Sequence, residues 1–122
     1  MSKLSNEKKW DLEERTAKFG EDVIEFCKKL TKNVITYPLI NHLVKCSTSV
    51  GANYGEADDA ESKQDFKHKI GICKKESCES KHFIRMIIKA TDDKSLINEA
   101  RTLWQEAKEL NLIFNSIYKS VK

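Results

Sequence analysis

The sequence predicts an all-α protein, an antiparallel up-down four-helix bundle. Four segments repeat apolar residues at alternating steps of three and four, the spacing of a helix seam. The breaks between them are short, so consecutive helices must run antiparallel. Composition agrees: 122 residues hold one proline and four glycines, too few turn residues for a sandwich or barrel.

The elements are expected at residues 9–32, 38–57, 62–90 and 94–121, within one domain spanning 1–122. The first seam reads Leu12, Thr16, Phe19, Val23, Phe26, Leu30, and the second Leu39, Leu43, Cys46, Val50, Asn53, Ala57. The third reads Phe66, Ile70, Cys73, Ser77, Ser80, Ile84, Ile87. The fourth reads Leu96, Ala100, Leu103, Ala107, Leu110, Phe114, Ile117, Val121. Pro38 suits a first helical turn. Ser62 with Asp65 resembles a capping box with Asp in place of Glu. Asp92 or Asp93 is expected to cap the fourth helix.

No run of 18 apolar residues occurs, and Met1 to Asp11 is too polar for a signal peptide. A cytoplasmic protein without membrane contact is expected. Cys27, Cys46, Cys73 and Cys78 lie inside helical patterns without CxxC spacing, and are expected as small packed hydrophobes. Net charge is +3, with acids gathered at Glu56, Asp58, Asp59 and Glu61 and a basic excess over 63–90. Mild basicity permits nucleic-acid contact without establishing it.

Few side chains point to chemistry. Glu79 and His82 form an ExxH, but the second ExxH and the extra carboxylates of a di-iron bundle are missing. No metal or cofactor is expected. Phosphate-binding glycine loops and a nucleophile turn are absent, so the chain is not expected to be an enzyme. Lys67, Lys74 and Lys81 recur every seven residues with Arg85 nearby, giving either a solvated face or a phosphate-contact stripe. Ile97, Trp104 and Tyr118 form a second apolar stripe on the fourth helix, read as a wide core face or an oligomer interface. Gly71, Cys73, Ser77, Cys78 and Ser80 make the third helix's middle small, which suits close packing, a polar pocket or a subunit contact.

One stretch is more specific. It reads Ser47-Thr48-Ser49-Val50-Gly51-Ala52-Asn53-Tyr54-Gly55-Glu56-Ala57, then Ala60-Glu61-Ser62-Lys63-Gln64-Asp65-Phe66, with Lys75-Glu76 and Glu79-Ser80 after it. It resembles the four-helix bundle proteins known as intervening-sequence proteins of large-subunit ribosomal RNA genes, which are related to accessory proteins of diversity-generating retroelements. Ser49, Asn53, Glu56, Ser62, Asp65, Glu76 and Glu79 match the pattern. Gly55 departs from a usual Ala, at about 1 kcal/mol in helix propensity. Cys73 and Cys78 also depart from it. The resemblance implies a homo-oligomer, with pentameric rings as the recurring form, and a link to RNA or DNA through gene context. It implies no defined activity.

The matched residues Asn53, Glu56, Ser62 and Asp65 are expected to converge on one inter-helix corner as a hydrogen-bonded cluster. Asn53→Ala is then expected to lower the melting temperature. The functional expectation is an oligomeric bundle contacting nucleic acid through Lys67, Lys74, Lys81 and Arg85. The alternative is a scaffold or protein-interaction module using Ile97, Trp104 and Tyr118.

Overall fold

The computed structural model describes the backbone of residues 3–122 and the side chains of residues 12–122. Four helices follow in order: α1 (Lys3–Lys29), α2 (Thr36–Asp58), α3 (Lys63–Ala90) and α4 (Lys94–Ser120). Each packs on the next, and α4 returns to α1 to close the bundle. The leader expectation concerns residues 1–11, whose side chains lie outside the described ones.

The seams meet in one core. Every residue of the first seam is buried, and so are the central members of the third and fourth. Phe19, Phe26, Leu43, Ile70, Ile84, Leu110 and Phe114 lose nearly all exposure. Burying such a side chain stabilises by about 1.5–3 kcal/mol. Across the core, the Tyr54 and Phe114 rings meet at 6.0 Å between centroids. Tyr54, and not Asn53, occupies the second seam, because the buried steps run 46, 50, 54, 57. Asn53 is half-buried one position aside.

The helix ends have local causes. Asn33 Oδ1 accepts from the backbone N–H groups of Ile35 and Thr36 at 2.9 Å each, which starts α2 two residues ahead of the expected 38. Lys32 Nζ donates to the Cys27 and Leu30 carbonyls at 3.1 Å, closing α1 at Lys29 instead of 32. Ser62 Oγ accepts from Asp65 N at 3.0 Å, the forward half of the capping box. Asp93, of the two candidates, caps α4 by accepting from Ser95 N and Leu96 N at 2.9 and 3.2 Å. Asp93→Ala is expected to cost about 1 kcal/mol, read as a lower urea midpoint with unchanged slope.

Two seams between helices differ in character. Where α1 crosses α2, a Cβ at Gly20 would lie 3.5 Å from Thr48 Cα, and one at Gly51 3.4 Å from Thr16 Oγ1. Small residues there bring the backbones together. The α1–α4 contact is the least extensive in the bundle and is bridged by charge. Arg15 pairs bidentately with Glu106 at 2.8 Å and with Glu109 at 2.9 Å, and Lys29 pairs with Glu99 at 2.9 Å. All three acids of α4 are thereby accounted for on its α1 side.

Candidate nucleic-acid interface

That use of the α4 acids leaves the helix's other flank without negative charge. Along it, at heptad spacing, run Ile97, Trp104 and Tyr118, with Arg101 and Lys108 beside them. The antiparallel packing sets this flank against the basic stripe of α3. Lys67 Nζ and Lys74 Nζ lie over the Tyr118 ring, 4.7 and 5.0 Å from its centroid. Arg85 shares a cleft with Trp104. The lysine stripe and the second apolar stripe, separate in the sequence, therefore form a single face.

The cations of this face are Lys67, Lys74, Lys81, Arg85, Arg101 and Lys108. Among the described residues none is in an ion pair, whereas Arg15, Lys18, Lys28, Lys29 and Lys69 all are. Arg101 and Lys108 carry the same heptad signal as the α3 stripe; what they lacked in the sequence was a visible partner. The apolar side chains are only half-buried here, and Lys108 Nζ sits 5.6 Å from the Trp104 ring centroid.

Small residues in α3 let α4 approach. A Cβ at Gly71 would stand 3.2 Å from Tyr118 Cε2. Asn111 Nδ2 donates to the Lys74 carbonyl at 2.8 Å and to Ser77 Oγ at 3.2 Å, locking the register of the two helices. Ser80, on the opposite side of the same segment, donates to the Glu76 carbonyl at 2.8 Å, and its Oγ lies 3.4 Å from Cys46 Sγ. Tight helix packing accounts for these small residues.

The matched polar residues lie elsewhere, on the α2 and α3 flanks that face each other. They do not join into one cluster. Asn53 Nδ2 donates to Ser49 O in its own helix at 2.9 Å, Glu56 pairs with Lys69 at 2.7 Å, and Ser62 caps Asp65. Helical i,i+4 geometry satisfies Asn53 before α3 is reached. Asn53→Ala is therefore expected to shift the melting temperature only slightly, since the lost bond is offset by alanine's helix propensity.

Glu76 is the perturbed carboxyl group of that flank. Burial and then the neighbouring Glu79 carboxylate push its pKa above the usual carboxylate range, while Lys75 and Lys45 oppose. A raised folded-state pKa means that the folded chain holds this proton more tightly than the unfolded one. Its favourable contribution is present at low pH and lost as pH rises through the folded value. Glu76→Gln is expected to raise the melting temperature at neutral pH and to leave it unchanged below the ordinary carboxylate pKa of about 4.5.

Three cysteines are packed as expected. Burial pushes Cys27 to about 11 and Cys73 to about 12, and raises Cys46. Cys78 is exposed, contrary to expectation, because the inward positions around it are Ser77 and Ser80. His68 and His82 are exposed, and His42 stacks on Phe83 at 4.9 Å. Among the described residues no three His, Cys, Asp or Glu side chains gather as a metal site would require. Sequence periodicity also missed Val34 and Ile35 in the α1–α2 connection and Tyr37 in the first turn of α2, which are 59–87% exposed. Loops carry no period to read.

The fold and this face define an antiparallel four-helix bundle with a basic, aromatic groove that holds no acid among the described residues. The chain belongs to the 23S rRNA-intervening sequence protein family, whose model matches residues 8–116. A solved structure of a protein with unknown function, from the S23 ribosomal protein family of Bacteroides thetaiotaomicron, is 23% identical. The match covers 93% of this chain and 99% of that one, with a TM-score of 0.81. That likeness concerns the fold. No curated relative matches the chain. Among the described residues no helix is long and apolar enough to cross a membrane.

Proposed function

We propose that the protein acts by binding, not catalysis, and that it binds RNA or DNA through phosphate contacts along the α3–α4 groove. The supporting observation is the gathering of six cations on a face where, among the described residues, they have neither ion pairs nor acidic neighbours in their helices' flank. A polyanion satisfies all of them at once and releases its condensed counterions on binding. It works in the cytoplasm as a homo-oligomer, a pentameric ring being the form that the family resemblance implies. Repetition of a modest stripe around a ring multiplies its avidity.

The test titrates structured RNA and duplex DNA against the protein across a salt series, with its mass in solution measured alongside. Binding that weakens steeply with salt supports the reading. No binding at low salt sinks it. The half-buried Trp104 and Tyr118 favour a second reading, in which the same face docks a protein partner or a second copy and the bundle is a scaffold. That reading predicts association insensitive to salt.

A further inference from the structure

We propose that the cleft between α3 and α4 takes one unpaired nucleotide of a single strand, its base on the Trp104 indole and its phosphate between Arg85 and Arg101. The inference rests on the phosphate-contact reading above and narrows it from nucleic acids in general to single strands. The cleft has a volume of about 280 Å³ and is lined by Arg85, Ile88, Arg101 and Trp104. That is just below the roughly 300 Å³ at which small-ligand pockets begin, which suits one planar ring and not a dinucleotide cofactor.

The lining has two kinds of wall. Trp104 and Ile88 are half-buried and apolar; Arg85 and Arg101 are exposed, and neither has a carboxylate partner among the described residues. A flat apolar ring joined to an anion matches both walls. An acidic peptide would satisfy the guanidinium groups and leave the indole unmatched. Within a duplex the faces of a base are covered by its neighbours, so only phosphates reach the protein. An unpaired base offers its face, and stacking on an aromatic side chain tolerates any base.

The other aromatic of the groove is less available. Tyr118 already has Lys67 and Lys74 over its ring, whereas the lysine near Trp104 stands farther off, at 5.6 Å. The two aromatics are about 21 Å apart by the rise of α4. A strand leaving Trp104 toward Tyr118 passes Lys81 and Lys108.

The experiment is fluorescence anisotropy with labelled oligouridylate and oligodeoxyuridylate of about ten nucleotides, within the usual span of single-strand sites, and with a duplex of equal length. Wild type is expected to bind the single strands about tenfold more tightly than the duplex. Trp104→Leu is expected to lose about tenfold toward both single strands and to leave duplex binding unchanged. Trp104→Phe should retain most of the affinity, and the exposed Arg101→Gln should weaken all three ligands. The tighter of the two single strands identifies RNA or DNA as the source. If Trp104→Leu melts early, quenching of Trp104 emission by oligouridylate in a Trp10→Phe background reads the same stacking, and absent quenching overturns it. Single-strand affinity within twofold of wild type in a folded Trp104→Leu, or equal affinity for duplex, overturns the stacking site while leaving the phosphate reading intact. Failure of all three ligands to bind at low salt removes both.

Discussion

Replacing Lys67, Lys74 and Lys81 together by glutamate is expected to lower RNA affinity by roughly 10²–10³-fold near 0.1 M salt and to flatten the salt dependence by about three units of slope. Each phosphate contact contributes about 0.9 to that slope, which near 0.1 M salt is close to one decade of affinity. The three lysines lie on one stripe without ion pairs, so no partner carboxylate is stranded when they are reversed. Fold damage should be small. Lys67 and Lys74 each give up a cation–π contact with the half-buried Tyr118, on the order of 0.5–2 kcal/mol. A circular-dichroism melt therefore separates lost binding from lost structure. Unchanged affinity and slope in a folded triple variant would place the phosphate contacts off this face.

Phe114→Ala is expected to destabilise the bundle by about 3–5 kcal/mol. The ring is 0% exposed and faces Tyr54 across the core, where residues from all four seams meet. Truncation removes its transfer energy and leaves a cavity that packed helices cannot collapse into. For a domain of this size the melting temperature should fall by roughly 12–20 °C. A fall of only a few degrees would show that the four seams do not close on one shared core.

Most of the fold was legible because burial in a bundle follows a period. Leu12 through Leu30 and Ile70 through Ile87 are inward wherever three-four spacing places them. The second helix slipped by one residue because Asn53 and Tyr54 both fit the spacing, and only packing against Phe114 chooses the ring. Cys78 was misplaced for a similar reason: its residue type suggests burial while its phase points outward. The groove was legible only in halves. Lys67, Lys74 and Lys81 are visible as one stripe and Trp104 and Tyr118 as another. Whether α3 turns its basic or its acidic flank toward α4 depends on the hand of the bundle. No residue spacing encodes that hand; the contacts of Tyr118 and Asn111 reveal it.

The segregation of charge within α3 and α4 also bears on how a partner arrives. The acids of α4 are turned toward α1, and Glu76 and Glu79 of α3 face the α2 side. A net charge of +3 thus understates the field on one side of the molecule. An approaching polyanion meets a transverse dipole that rotates the groove toward it before contact. Such orientation acts on the rate of productive encounter more than on the lifetime of the complex. At low ionic strength the protein would capture its ligand rapidly, and salt would slow the capture before it shortened the hold.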